Sequence, residues 1–165
     1  MTSCFCATVF FPKNKNQYRF CKETFEQELK KQGLKILGWR TVPVDSSQLG
    51  PIALASEPAI EQIFIAKPEG TSDENFKAKL YAARKITEHI IADSKMSESS
   101  YFYLPSLSTT TLIYKGIIMP EDIGQYYTDL QQPDLVTRLA LVHQRFSTNT
   151  MPSWELAQPF RYMCQ

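Results

Sequence analysis

The chain has 165 residues, of which 43% are hydrophobic, 12% aromatic and 21% charged, and its formal net charge is +1. This composition is typical of one folded domain and excludes an intrinsically disordered chain. A net charge so close to zero creates no field that would attract nucleic acid or an anionic membrane surface, so we expect neither as a partner. No apolar run approaches the roughly 20 residues that a membrane-spanning helix needs.

Cysteine and histidine usage gives no indication of a metal or disulfide site. No two cysteines form a Cys-x-x-Cys pair and neither histidine has metal-ligand spacing to them; these residues are Cys4, Cys6, Cys21, Cys164, His89 and His143. We therefore expect no metal site, and reduced thiols that are buried at Cys4, Cys6 and Cys21. This usage predicts a cytoplasmic protein without a secretory signal. No G-x-S-x-G elbow or glycine-rich phosphate loop is present, whereas a Ser-His-Asp triad assembled from distant residues stays open.

The first part of the chain alternates between strand and helix patterns. Residues Cys4–Phe11 are apolar on both alternating faces, which predicts a strand in a sheet that is covered on both sides. An amphipathic helix is predicted over about Tyr18–Gln32, with Gly33 just beyond its C-terminus. Further strands are predicted at Leu34–Val44 and Ile60–Ile65.

The longest predicted helix follows these strands. The spacing Thr71-x-x-Glu74 predicts a capping box at its start, and the apolar pattern ends near Ser94. This mixed order of strands and helices predicts a layered α+β fold. The elements expected beyond the helix are strands at Tyr101–Leu104, Thr109–Tyr114 and Arg138–Phe146, and short helices at Asp122–Tyr127 and Asp134–Thr137.

The candidate binding residues lie near the C-terminal end. The strand predicted over Arg138–Phe146 would present His143 and Arg145 on one face and then pass into a polar loop. A guanidinium at a strand end can hold a carboxylate through two parallel, charge-assisted hydrogen bonds. The hydroxyl, amide and backbone groups of Ser147, Thr148 and Asn149 would complete a small polar pocket. On physical grounds alone, a structural ion pair of Arg145 is an equally good hypothesis.

Four ordered blocks of sequence extend these observations from Gly38 to Arg161. They are GWRTVPVD at 38–45, EPAIEQIF at 57–64, YFYLPSLSTTTLIYKG at 101–116 and HQRFSTNTMPSWELAQPFR at 143–161. The blocks resemble the large subunit of glutamate synthase, in its class II glutamine amidotransferase domain. That resemblance implies the four-layer αββα sandwich of N-terminal-nucleophile hydrolases, of which residues 1–165 would form a single incomplete domain.

The resemblance also implies a chemistry. In this family a cysteine at the mature N-terminus attacks the glutamine amide, and an Asn-Gly pair forms the oxyanion hole. Arg145 would hold the α-carboxylate of glutamine, Thr148 matches a neighbouring pocket position, and Asn149 adjoins it. The ammonia would pass to other glutamate synthase domains, which carry FMN and an iron–sulfur cluster and convert 2-oxoglutarate to glutamate. We expect no cofactor in this segment, and a plastid parent is compatible with the resemblance.

Two parts of the family pattern do not occur within the 165 residues: the C-G-V/I-G nucleophile segment and the oxyanion Asn-Gly pair. Cys4 and Cys6 align with interior strand positions, so no catalytic residue is predicted. Thr2, exposed by loss of Met1, is the one alternative N-terminal nucleophile. We therefore expect the isolated chain not to hydrolyse glutamine. The alternative function is a non-enzymatic relic or docking module of the same fold.

Overall fold

A computed structural model describes residues 4–146 and 149–160. They belong to two compact units, one within Met1–Thr41 and Pro58–Leu112, the other within Val42–Glu57 and Ile113–Gln165. No helix in the described part of the chain combines the length and apolarity that crossing a membrane requires. In chain order, the elements are β1 (Cys4–Phe11), α1 (Lys15–Lys31), β2 (Lys35–Thr41), α2 (Pro51–Ala55), β3 (Ala59–Ala66), α3 (Asp73–Asp93), β4 (Tyr103–Leu107) and α4 (Ile123–Tyr126), with 3₁₀ turns at Ser46–Gln48, Ser99–Tyr101 and Thr128–Gln131.

The first unit is built on a four-stranded sheet in the order β2-β3-β1-β4. Every neighbouring pair is antiparallel, so β1 runs parallel to β2, and β3 to β4, with one strand between each pair. Helix α1 connects β1 to β2, and α3 leads from β3 to β4. This is the split β-α-β arrangement. The predicted α+β class is confirmed, and the strands expected at Cys4–Phe11, Leu34–Val44 and Ile60–Ile65 are present.

The core of this unit lies between the sheet and its two helices. Helix α1 buries one apolar stripe, as its spacing predicted, and α3 adds a second. Because these side chains are almost completely removed from water, each buried Val, Leu, Ile or Phe contributes on the order of 1.5–3 kcal/mol to folding, and the smaller side chains contribute less. The main contributors are Cys21, Phe25 and Leu29 from α1, Phe76, Leu80 and Ala83 from α3, and Ala7, Val9, Phe11, Ile63 and Ile65 from the sheet.

The ends of the two long helices follow local chemistry. Gly33 adopts a left-handed backbone (φ 71°) just after α1, as predicted. Helix α3 is capped by Ser72, whose hydroxyl accepts from the N–H of Asn75, so the predicted capping box is wrong by one residue. The reason is spacing: from Ser72, Asn75 is the third helical residue, the position that an N-cap side chain reaches. The helix ends at Asp93 and Ser94 is its C-cap, as expected.

Burial along β1 differs between its two ends. Thr8 and Phe10 on one face, and Val9 and Phe11 on the other, are all about fully buried. The prediction of a strand covered on both faces is therefore confirmed for this end. Cys4 is exposed and Cys6 half-buried, because they lie at the opposite end of the strand; the expectation that both thiols are buried is wrong. Cys21 is buried as expected, whereas Cys164 lies outside the described residues.

Four polar residues cross the sheet on the face opposite the helices. Arg40, Gln62, Thr8 and Ser106 stand in register on successive strands. The Arg40 guanidinium donates to Gln62 Oε1 at 2.7 Å, and the Thr8 N–H donates to Ser106 Oγ at 3.1 Å. The Thr8 hydroxyl is buried and has no hydrogen-bond partner among the described residues. This row therefore contains one polar group whose burial is uncompensated.

Strand β4 replaces the strand predicted at Tyr101–Leu104. It runs through Pro105, beyond the predicted end of the strand at Leu104. Proline lacks an N–H and is tolerated in β4 because this strand lies at the edge of the sheet and pairs with β1 alone. The strand boundary was therefore wrong.

Three other elements predicted near the C-terminus are absent. Residues 109–114, 134–137 and 138–146 contain neither strand nor helix. A strand exists only where its backbone groups find a partner strand, and none of the described strands pairs with 138–146. The expected helix at Asp134–Thr137 is one turn long, too short to repay nucleation without tertiary support, whereas α4 confirms the one expected at Asp122–Tyr127.

Candidate functional site

The residues predicted to bind a carboxylate lie in the second unit. Arg145 and Asn149 are exposed, whereas Thr148 lies outside the described residues. The carbonyl oxygen of Arg145 is 2.6 Å from Nε2 of His143. A carbonyl only accepts, so this contact requires the proton on Nε2. Arg145 therefore presents its guanidinium from a loop and not from the strand that its sequence predicted.

The chain is firmly held a few residues after this loop, at Trp154. Its side chain is buried, its indole N–H donates to the carbonyl of Ala53 at 3.2 Å, and its ring contacts the Tyr126 ring in a tilted arrangement. Gly116 lies against the same ring, and a Cβ there would come within 2.4 Å of a Trp154 ring carbon. Position 116 is therefore limited to glycine by close approach.

A buried lysine holds the same turn. Lys115 is 1% exposed, and its ammonium donates to the carbonyls of Glu155 at 2.7 Å and Ala157 at 2.8 Å. The ammonium also lies 5.2 Å from the centre of the Phe160 ring, within cation–π distance. Partial burial raises the pKa of Glu155, and attraction to Lys115 opposes that rise. We call Lys115, Gly116 and Trp154, with the carbonyls of Glu155 and Ala157, the Lys115 clamp.

Two adjacent tyrosines extend the clamp into the rest of the unit. Tyr127 donates through its hydroxyl to the carbonyl of Lys115 at 2.7 Å. Tyr126 donates to Glu57 Oε1 at 2.8 Å, and Ser46 donates to the same oxygen at 2.6 Å. Burial raises the pKa of both tyrosines, with the Glu57 carboxylate adding to the rise, so both remain neutral donors at physiological pH.

The clamp and its tyrosines bring together blocks that are far apart in the sequence. Val44 forms an isolated bridge with Tyr127, and the N–H of Asp45 donates to the carbonyl of Tyr126 at 2.8 Å. Glu57, from the second block, accepts from Tyr126, and Lys115 from the third block grips the turn at 153–157 of the fourth. These four sequence blocks therefore share one buried hydrogen-bond network.

The sequence profile of the glutamine amidotransferases class-II matches residues 2–165. The chain belongs to this family. It is 39% identical over 156 residues to the glutamate synthase [NADPH] large chain of Bacillus subtilis, covering 94% of this chain and 10% of that protein. It is 42% identical over 159 residues to glutamate synthase [NADH] of Schizosaccharomyces pombe, covering 93% and 7%. Ferredoxin-dependent glutamate synthase 2 of Synechocystis is 38% identical over 155 residues, covering 94% and 10%.

These comparisons confirm the predicted resemblance to glutamate synthase. The chain spans about a tenth or less of the length of these relatives, so it corresponds to one segment of much longer proteins. A further relative is the chloroplastic ferredoxin-dependent glutamate synthase 2 of Arabidopsis thaliana, 37% identical to this chain. The cytoplasmic location of this chain stays a prediction. The single domain expected over residues 1–165 likewise stays a prediction.

In this amidotransferase chain, sequence reasoning missed Lys115, Tyr126 and Tyr127. Their roles depend on burial and on partners more than ten residues away, which a charge or motif pattern does not show. The one available signal was position: Lys115 lies in the YKG element, next to a glycine that allows close approach. Arg145 was selected from its place in the signature block and at the end of a predicted strand, and its role in binding stays a prediction.

The described residues do not fit a metal cofactor. Across 4–146 and 149–160, no three His, Cys, Asp or Glu side chains converge on a point where a metal ion could be held. Cys21 is buried in the helix-covered core, whereas Cys4 is exposed. An iron–sulfur cluster is commonly held by four thiolates at one place, and the described residues include only Cys4, Cys6 and Cys21. The absence of a cofactor from this segment stays a prediction.

Proposed function

We propose that this chain supplies the α-carboxylate contact of a glutamine-hydrolysing domain, whose ammonia is used to make glutamate from 2-oxoglutarate. The support is family membership over residues 2–165 together with relatives that are named glutamate synthases. One structural observation carries the proposal: Arg145 is exposed and has no ion-pair partner among the described residues. The hypothesis of a structural ion pair therefore gains no support there.

Arg145 would bind the carboxylate in a bidentate manner. Its guanidinium donates two parallel hydrogen bonds to the glutamine α-carboxylate, and this geometry selects a carboxylate over a neutral end. Thr148 and Asn149 would offer hydroxyl and amide groups beside it. The amide bond is then broken by a thiolate that adds to the amide carbon and expels ammonia after proton transfer. The thiol and the oxyanion donors for that step would come from other residues of the complete domain.

The partners in this proposal are glutamine and the remaining domains of glutamate synthase. Since the relatives are about ten times longer than this chain, most of the enzyme lies outside the segment. FMN and an iron–sulfur cluster would supply redox chemistry in those domains, and no residue described here is assigned to either. Glutamine capture and glutamate synthesis would thus be separable by mutation.

The test compares Arg145→Ala and Arg145→Lys in the full-length protein that contains this chain. We expect the KM for glutamine to rise roughly tenfold to a hundredfold in Arg145→Ala, because a charge-assisted pair contributes about 1.5–3 kcal/mol. Arg145→Lys should recover only part of this loss. Glutamate synthesis from added ammonia should continue at the wild-type rate, because that reaction would take place in another domain.

Arg138→Ala is the matched control, since Arg138 is also an exposed arginine of the same segment. It should leave the KM for glutamine unchanged. Equal loss of activity with glutamine and with ammonia in Arg145→Ala would show that Arg145 maintains the fold instead of binding substrate, and the proposal would be rejected.

A non-enzymatic docking module is the second candidate, and one observation favours it. Val136, Leu139 and Val142 are exposed by 80% or more, which leaves an apolar run on the surface of the described chain. Exposed apolar runs of this kind mark interaction surfaces. If the chain only docks, Arg145→Ala will change the rate of glutamate synthesis neither with glutamine nor with ammonia. Leu139→Ser, in contrast, will weaken assembly with the rest of the protein.

The isolated 165-residue chain should not release ammonia from glutamine. Neither the family's nucleophile segment nor its oxyanion Asn-Gly pair occurs among these residues. Loss of either element costs orders of magnitude in rate. Steady ammonia release by the purified chain, abolished by Thr2→Ala, would instead identify Thr2 as an N-terminal nucleophile.

A further inference from the structure

The ammonium of Lys115 faces the protein and not a ligand. Lys115 is 1% exposed, and two of its three N–H donors are directed at the carbonyls of Glu155 and Ala157. A charge held in this way does not reach a substrate in solvent. Burying an ammonium is costly unless it is well bonded, so its function lies in what it binds within the chain.

The two carbonyls that Lys115 binds belong to one tight turn. The N–H of Ala157 donates back to the carbonyl of Ser153 at 3.0 Å, which closes the turn on itself. Lys115 then bridges the carbonyls at 155 and 157, which point to the same place. A single side chain therefore determines the orientation of two peptide groups.

Trp154 secures the same turn from its other side. Its ring lies against Gly116, the neighbour of Lys115, and its indole N–H is bonded to Ala53. The adjacent residues Lys115 and Gly116 thus both contact the turn: Lys115 binds two of its carbonyls, and Gly116 lies against the Trp154 ring. Asn149 and Arg145 stand five and nine residues before Trp154, so the clamp anchors the chain shortly after both residues.

We infer that Lys115 is a positioning residue for the glutamine carboxylate site: by holding the turn at 153–157, it limits where the loop with Arg145 and Asn149 can lie. The inference rests on the proposed function. Without the ammonium, the part-buried carbonyl of Glu155 and the buried carbonyl of Ala157 lose this donor and the turn loosens. Arg145 then samples more positions, and glutamine must order the loop on binding. The effect falls on the KM for glutamine more than on the reaction of bound glutamine.

The test uses Lys115→Ala in the full-length protein, with two readouts. Hydrogen exchange at the amides of residues 153–157 reports the turn directly, independently of activity. The KM for glutamine, compared with the rate on added ammonia, reports the site. We expect faster exchange, a KM raised roughly tenfold to a hundredfold, and an unchanged rate on ammonia.

Rescue by n-propylammonium separates positioning from general damage. Lys115→Ala retains Cβ, so n-propylammonium supplies the three missing methylenes and the ammonium. We expect it to slow the exchange at 153–157 and to lower the KM for glutamine together, in a saturable way. Lys77→Ala is the matched control, since Lys77 is an exposed lysine on α3, and it should change neither readout.

Two outcomes would overturn the inference. One is unchanged exchange at 153–157, which would show that Lys115 does not hold the turn. The other is faster exchange that does not act on glutamine binding. In that case the KM for glutamine is unchanged, or activity falls equally with glutamine and with ammonia and n-propylammonium does not restore it. Either result would show that Lys115 has a purely structural role. Failure of the proposed function has a different signature: Arg145→Ala would leave the KM for glutamine unchanged while the exchange readout still reports the clamp.

Discussion

Tyr127 donates its hydroxyl hydrogen to the carbonyl oxygen of Lys115 at 2.7 Å, and both side chains are buried. The same lysine bonds through its ammonium to the turn at 153–157, so Tyr127 fixes the backbone from which that side chain extends. The two residues are separated by 11 intervening positions, and their contact gives the second unit a hydrogen-bonded centre. Four predictions address this centre and the sheet.

Tyr127→Phe should lower the free energy of unfolding by about 1–2 kcal/mol. The change removes a buried hydrogen-bond donor from the Lys115 carbonyl without altering the ring. Urea unfolding of the purified chain measures the effect. Tyr81→Phe removes a hydroxyl from a half-exposed ring on α3 and should stay within about 0.5 kcal/mol of wild type. Equal effects of the two changes would contradict a specific role for the Tyr127 hydroxyl.

Gly116→Ala should be strongly destabilising. Its Cβ would lie 2.4 Å from a Trp154 ring carbon and 2.9 Å from Ile118 Cδ1, so the ring must move. Overpacking of this kind costs about 1–3 kcal/mol. Gly124→Ala is the control: Gly124 lies in α4 with nothing within 4 Å of its Cβ position, and alanine is the better helix former. Thermal unfolding should show a loss for Gly116→Ala alone; a matching loss for Gly124→Ala would assign the effect to glycine replacement in general.

Thr8→Val should leave the chain as stable as wild type or stabilise it by about 1 kcal/mol. The Thr8 hydroxyl is buried without a hydrogen-bond partner among the described residues, and valine has nearly the same shape. Thr87→Val is the opposite case, because the Thr87 hydroxyl donates to the Ala83 carbonyl at 2.7 Å and that bond would be lost. Denaturant titrations of the two variants should shift in opposite directions. A clear loss of stability in Thr8→Val would mean that its hydroxyl has a partner after all.

Cysteine labelling should separate Cys4 from Cys21. Cys4 is exposed and should react within minutes, whereas Cys21 is buried and should react more than about a hundredfold more slowly. Burial raises the pKa of Cys21 from 9.0 to about 12. Between these values the unfolded chain loses this proton and the folded chain keeps it, so the Cys21 contribution to stability falls as the pH rises above about 9.

Mass spectrometry of labelled peptides assigns each site. Unfolding curves of wild type and Cys21→Ala between pH 8 and about pH 11 measure how much of the pH dependence of stability comes from Cys21. The wild type should lose stability more steeply with pH than the variant. Labelling of Cys21 as fast as Cys4 in native buffer would show that the core opens readily.

Part of the fold follows from local pattern. Strands β1, β2 and β3, the stripe of α1 and the C-terminal glycine at position 33 were predicted because periodicity and backbone preference act within a few residues. The start of α3 was missed by one residue, since Ser and Thr compete for the cap at adjacent positions and the reach to Asn75 decides between them. The family could also be predicted, since whole blocks of residue types were preserved in order.

The candidate site, too, could be predicted only in part from the sequence. Arg145 could be proposed from the sequence alone because it lies within a signature block, and its binding role stays a prediction. The strand predicted around it was wrong, because apolar alternation at 138–146 gives a strand only if a neighbouring edge is present to pair with it.

The sequence by itself determined the elements whose stability is local and the family to which the blocks belong. Tertiary structure alone decided that Pro105 lies within an edge strand and that Lys115 is a buried clamp instead of a surface charge. The physical reason is the range of the interactions: helix caps and apolar stripes act over one or two turns, whereas the Lys115 ammonium is bonded to carbonyls 40 and 42 residues away. Which carbonyls meet that ammonium depends on the path of the whole unit.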